Sequence, residues 1–97
     1  MLHIVNKSPY SEIGLDSCLR TAQKGDPIIL IEDAVLGAMA GGSLAGTVKD
    51  AQKDHDVYAL SADIKARGVD RVIDGVKVVD YGGFVDLVVE HRTMSWL

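Results

Sequence analysis

The chain has little cysteine, little positive charge and no long apolar run. Its single cysteine excludes an internal disulfide and a zinc site built from thiolates, since each needs at least two thiols. Ten Lys and Arg against fourteen Asp and Glu give a formal net charge of −4. That balance lacks the basic surface that tight binding to nucleic-acid phosphates requires. We therefore expect no direct nucleic-acid partner.

The sequence also lacks the segments that direct a protein into or across a membrane. The apolar stretch "PIILI" at 27–31 falls far short of the ~20 residues that a membrane helix needs. The N-terminus shows no basic start followed by an apolar core, as a signal peptide would. A lone thiol is typical of a reducing compartment. These features predict a cytoplasmic protein without membrane contact, and the length predicts a single domain over residues 1–97.

What the sequence does contain is the alternation of strands and helices that builds an α/β domain. Hydrophobic residues make up 47% and charged residues 25% of the chain, which is ordinary globular composition. We expect strands at 2–6, 27–33, 56–60 and 75–80, and helical segments at 11–23, 34–40, 47–54, 61–68 and 81–91. Such alternation predicts a small three-layer α/β/α domain with a mostly parallel sheet of four to five strands.

Some helical segments carry more apolar surface than one small core can cover. In the last helix Phe84, Leu87 and Val88 form one apolar stripe, and Val85 and Val89 extend it around the cylinder. The segment at 35–39 is also apolar on most sides, and Trp96 and Leu97 end the chain. A helix that is apolar nearly all round is buried nearly all round. We therefore expect a partner subunit, with a monomer that covers these side chains by itself as the alternative.

Three aspartates follow predicted strands and form a second class of candidate site. Asp33, Asp63 and Asp80 lie where ligands bind in open parallel sheets, and carboxylates could hold a divalent cation. Helix capping explains the same residues more simply. The glycine cluster at 41–47 has a threonine, Thr47, where a phosphate loop needs its lysine. We predict no cofactor and no metal, and keep a small metal-binding enzyme as a weaker alternative.

The only thiol, Cys18, lies in the helix predicted at 11–23, for which Ser11 is the expected N-cap. Its helical neighbours three and four positions away include no Lys, Arg or His. Nothing local therefore lowers the pKa of the thiol. From the residues alone, a packed and inert thiol is the favoured interpretation. Its place at the edge of the apolar stripe leaves access from a partner surface open.

Four segments in register resemble the DsrH/TusB family of small sulfur-relay subunits: "MLHIVNKSP" at the start, "VYALSADIKARG" at 57–68, "VVDYGGFVDLVVEH" at 78–91 and the terminal "MSWL". The resemblance implies a DsrE/DsrF/DsrH-like fold. It also implies a heterohexamer with two homologous subunits, of the DsrE/DsrF or TusD/TusC type, in two copies each. Such complexes pass persulfide sulfur between cysteines and on to a downstream acceptor protein. They act either in dissimilatory sulfur oxidation or in 2-thiolation of the tRNA wobble uridine.

The resemblance also bears on which residues could handle sulfur. A homologous subunit carries the main acceptor cysteine after a middle strand, and the matching "LSADIKARG" here has none. A cysteine in a context like "LDSCLR" is typical of the sulfur-oxidation version, DsrH, which this chain therefore resembles more. The implied chemistry is thiol–persulfide exchange, with Cys18 as the candidate sulfur acceptor. The alternative is a structural subunit that organises the thiol-bearing homologue, so whether the chain is itself catalytic stays open.

Overall fold

The structure is a computed structural model that describes residues 1–10 and 14–96. Its regular elements, in chain order, are β1 (Leu2–Val5), α1 (Gly14–Thr21), β2 (Ile28–Leu30), a 3₁₀ helix (Glu32–Ala38), α2 (Ala45–Ala51), β3 (Val57–Leu60), α3 (Ser61–Ala66), β4 (Lys77–Val79), α4 (Tyr81–Glu90) and β5 (Thr93–Trp96). Each predicted strand and helix has a counterpart in this order. The expected N-cap Ser11 lies outside the described residues.

The five strands form one sheet in the order β4-β3-β2-β1-β5, and every neighbouring pair is parallel. This confirms the predicted fold class. The sequence left open which residues make the fifth strand, and the structure assigns it to the terminal segment that pairs with β1. There His3 lies opposite Met94, and Val5 lies opposite Trp96.

The chain path places the helices in two unequal layers. From β1 to β4 each connection steps to the next strand in one direction, so right-handed crossovers put their helices on one side of the sheet. The connection from β4 to β5 returns across the whole sheet, from one edge to the other. The same handedness then puts α4 on the opposite side. We call the side under α1, the 3₁₀ helix, α2 and α3 the first face, and the side under α4 the second face.

Most of the core lies on the first face. There the strand residues pack against apolar side chains from every helix of that layer, and the buried members are Val5, Leu15, Cys18, Ile28, Leu30, Ala34, Val35, Ala38, Val48, Val57, Ala59, Ile64, Val69 and Ile73. Strand β2 is buried along its whole length, as its unbroken apolar sequence predicted, because both of its faces are covered.

The second face has a much smaller core. Its buried side chains are Leu2, Ile29 and Leu87, with Phe84, Ile31 and three strand residues partly buried around them. One ten-residue helix, α4, covers this side of a five-stranded sheet. No helix within residues 1–10 and 14–96 is long and apolar enough to span a membrane.

The apolar segment after β2 behaves differently from the expectation that it would meet another subunit. Val35 and Ala38 are fully buried, and Leu36 and Met39 are partly buried, all within the first-face core of the same chain. The tight 3₁₀ winding packs the segment directly over the sheet, so several sides of it are covered at once. The chain itself therefore covers most of this segment, and a partner subunit at this position stays a prediction.

Candidate functional site

Cys18 lies in the middle of α1 and points into the first-face core. Its side chain has no exposed surface, and it belongs to the same cluster as Val5, Leu15 and Ile28. Burial, with a smaller contribution from the negative charge of Asp26, raises the pKa of the Cys18 thiol from 9.0 to about 12. Persulfide exchange needs a thiol that is both ionised and accessible. In this conformation Cys18 is neither. The sulfur-acceptor role of Cys18 stays a prediction against which both observations weigh.

The acidic side chains at the carboxyl ends of the strands are engaged in structural contacts. Arg67 donates to Asp33 and to Asp63, each at 3.0 Å. Asp63 also accepts the backbone N–H of Glu32 at 2.7 Å, where the chain turns with a φ of 50°. β3 runs straight into α3, so Asp63 lies in the first turn of the helix predicted at 61–68.

The third aspartate, Asp80, is the N-cap of α4. Its Oδ1 accepts the backbone N–H of Gly83 at 2.8 Å, which is the usual work of a capping carboxylate. Within the part of the chain that the structure describes, no three His, Cys, Asp or Glu side chains converge as metal ligands do. Asp33 and Asp63 are joined by an arginine, so the arrangement favours capping and ion pairing.

A partly buried hydrogen-bond network that the sequence did not reveal joins both ends of the chain. Trp96 Nε1 donates to His3 Nδ1 at 3.1 Å, and His3 Nε2 lies 2.9 Å from Asp26 Oδ2. An indole N–H can only donate, so Nδ1 is the acceptor and the imidazole proton sits on Nε2, facing Asp26. Trp96, which was expected to need a partner subunit, is thus half-buried against its own chain. Leu97, named with it, lies outside the described residues.

Asp26 is the centre of this network. The pKa of Asp26 is lowered to about 2, chiefly by the hydrogen bond from His3. The Gln23 N–H and the N-terminal amine contribute in the same direction, and burial opposes them. The Nδ1 of His55 lies 2.8 Å from the Asp26 carbonyl oxygen. These contacts fix the connection between α1 and β2 and keep a carboxylate ionised near Cys18. The pairing of β1 with β2 on one side and with β5 on the other brings His3, Asp26 and Trp96 together, and no local pattern encodes it.

The largest exposed apolar surface belongs to α4. Of the predicted stripe, Phe84 and Leu87 face the sheet, but Val88 is 41% exposed and lies with Val85 and Val89, which are 58% and 79% exposed. The all-round apolar character of this helix is therefore real, and the described chain covers only part of it.

Comparison with known proteins agrees with this architecture. Two solved structures share the fold: the ychN protein from E. coli, with a TM-score of 0.81 and 18% identity over 97% of each chain, and the MTH1491 protein from Methanobacterium thermoautotrophicum, with a TM-score of 0.74 and 19% identity over 97% of this chain and 95% of that one.

Relatives found by sequence identify the family, whereas the solved structures above show only the fold. The chain is 37% identical to protein TusB of Pectobacterium carotovorum, and 34% identical to protein TusB of Escherichia coli. Each of these alignments covers 99% of this chain and 100% of the relative. The family model described as DsrH like protein matches residues 7–94. The chain therefore belongs to the DsrH/TusB family.

Proposed function

We propose that this chain is a structural subunit of a cytoplasmic sulfur-relay complex, and that it organises thiol-bearing homologues without accepting sulfur itself. Membership of the DsrH/TusB family over essentially the whole chain supports the relay. The observation that carries the structural role is the state of the only thiol, which is fully buried with a pKa of about 12. At neutral pH only about one such thiol in 10⁵ is ionised.

The branch of the relay that we propose is 2-thiolation of the tRNA wobble uridine. The presence of Cys18 alone favoured the sulfur-oxidation version. The relatives reported above, however, carry the name TusB at 34–37% identity, and a buried cysteine is interchangeable with other small apolar residues. Its presence is therefore weak grounds for choosing a branch. A free thiol and no disulfide partner in the chain suit the reducing cytoplasm.

The partners that we propose are TusC- and TusD-type homologues, in a heterohexamer with two copies of each chain, and a downstream sulfur acceptor protein. The incomplete site supports this requirement for partners. The segment from Leu60 to Gly68, where a homologous subunit carries its acceptor cysteine, forms the end of β3, α3 and its C-terminal turn here without a thiol. The exposed valines of α4 supply apolar surface for assembly.

The alternative, in which Cys18 accepts sulfur, requires α1 to move away from the sheet. The thiol would have to leave the first-face core and approach a cation that stabilises its thiolate. This alternative makes a distinct chemical prediction, because the outer sulfur of a partner persulfide would be transferred to Cys18 Sγ as the partner thiolate leaves.

The test is sulfur transfer in the reconstituted complex with Cys18→Ala, which removes the thiol without placing a new polar group in the core. We expect assembly and transfer at the wild-type rate, and no gain of one sulfur mass on Cys18 in the wild-type complex treated with a persulfide donor. The control is replacement of the acceptor cysteine in the homologous subunit that carries it, which should abolish transfer. Persulfidation of Cys18 together with loss of transfer in Cys18→Ala would overturn the structural role.

A further inference from the structure

We infer that the outer face of α4, formed by Tyr81, Val85, Val88 and Val89, is the surface on which a homologous relay subunit docks an apolar helix flanked by Lys or Arg. This inference rests on the proposed function and names the part of the chain that assembles. It follows from the exposure, spacing, shape and charge of this one helix.

The outer face is apolar and exposed although the helix already has an inner apolar face. Tyr81, Val85, Val88 and Val89 are 62%, 58%, 41% and 79% exposed. They stand at positions i, i+4, i+7 and i+8, which is one continuous stripe on a helix. The inner side chains, Phe84 and Leu87, pack on the second face of the sheet. A two-sided apolar helix indicates that a further layer covers it.

The other exposed large hydrophobic side chains do not form such a stripe. Met1 and Met94 border one small pocket with polar neighbours such as Thr21 and Asp26, and Tyr10 and Val78 lie on other segments of the described chain. Scattered single apolar residues are normal on a protein surface. The concentration of four on one helix is what distinguishes the outer face of α4.

The shape of the outer face suits a helix. Ten residues of α-helix span about 15 Å, which matches two to three turns of a partner helix lying along the stripe. The stripe is the convex outside of a cylinder, whereas small-molecule sites are concave. A protein surface is therefore the fitting occupant.

The negative charges beside the stripe indicate which side chains the partner surface should carry. Asp86 and Glu90 are exposed and stand one turn apart, along one flank of the stripe. Neither forms an ion pair with any residue that the structure describes, and α4 contains no Lys or Arg. A partner with basic side chains beside its apolar surface complements this flank. A second copy fits less well, because it brings the same carboxylates and a net charge of −4.

The experiment is co-expression with the TusC- and TusD-type homologues, with assembly read by size-exclusion chromatography and light scattering. Val89→Asp places a charge in the stripe at a largely exposed position, so the isolated chain should keep its thermal unfolding transition while the complex is lost. The matched control is Val78→Asp, which changes another exposed valine, on β4, and should leave assembly intact.

The charge requirement is tested separately with Asp86→Lys and Glu90→Lys. We expect each to weaken assembly by about tenfold at low ionic strength, and by less at high salt, because salt screens exposed charges. Assembly of Val89→Asp at wild-type strength would overturn this inference while leaving the proposed function standing. Failure of the wild-type chain to bind either homologue would instead remove the proposed function. Self-association of the isolated wild-type chain through α4 would also overturn the choice of partner.

Discussion

The two faces of the sheet differ in how completely the chain covers them. The first face carries four helical segments and fourteen buried apolar residues, including the only thiol. The second face carries one helix and three buried residues, and that helix presents four more apolar side chains outward. The first face thus provides stability to the isolated chain, and we propose that another chain completes the second face. Cys18, the residue with the most obvious chemistry, lies in the first-face core. We therefore propose that the function of this protein depends on the second face.

The largest effect that distinguishes the two faces is on stability. Leu30→Ala removes a side chain that is 1% exposed in the first-face core and should lower the free energy of unfolding by about 3 kcal/mol. Leu87→Ala, in the small second-face core, should cost less, about 2 kcal/mol, because fewer atoms surround it. Urea denaturation of the isolated chain measures both. An equal or larger cost at Leu87 would contradict the difference between the faces.

The attachment of α4 depends on its first turn. Asp80→Ala removes the carboxylate that accepts the Gly83 N–H and should lower stability by about 1 kcal/mol. The control is Asp86→Ala on the same helix, an exposed carboxylate without an ion pair among the described residues, which should change stability by less than about 0.5 kcal/mol. Thermal unfolding followed by circular dichroism compares them. Equal effects would show that the cap does not hold the helix.

The hydrogen-bond network of Trp96, His3 and Asp26 predicts that the stability of the folded chain depends on pH. The pKa of Asp26 is about 2 in the folded chain, against an ordinary value of 3.8. A group whose pKa is lower in the folded state binds protons more readily when unfolded, so its stabilisation is present above pH 3.8 and is lost as the pH falls toward 2. Asp26→Asn should therefore flatten the loss of stability between pH 4 and pH 2. Unchanged acid unfolding in this variant would contradict the role of the network.

The smallest change in stability is expected for a substitution on the outer face of α4. Val89→Ser changes a side chain that is 79% exposed and should alter the stability of the isolated chain by less than about 0.5 kcal/mol. Chemical denaturation checks this. A cost of several times that amount would mean that the chain itself already buries the outer face of α4.

How far the sequence predicted these features depends on whether they are local. The buried strand β2 and the two-sided apolar helix α4 could be predicted, because each is a periodic pattern in consecutive residues. The contact of Trp96 with His3 could not, since it depends on the pairing of β5 with β1 across 93 positions. The state of Cys18 could not be settled either. Its helical neighbours showed only that no cation is near, whereas its burial comes from strands distant in the sequence and the charge of Asp26 from the connection after α1.

The most direct test compares a first-face variant with a second-face variant in one assay. Cys18→Ala and Val89→Asp are each assembled with the TusC- and TusD-type homologues, and sulfur delivery to the downstream acceptor is measured under identical conditions. The account predicts that Cys18→Ala assembles and delivers sulfur like the wild type, whereas Val89→Asp does neither. Loss of delivery in an assembled Cys18→Ala complex, with normal delivery by Val89→Asp, would contradict it.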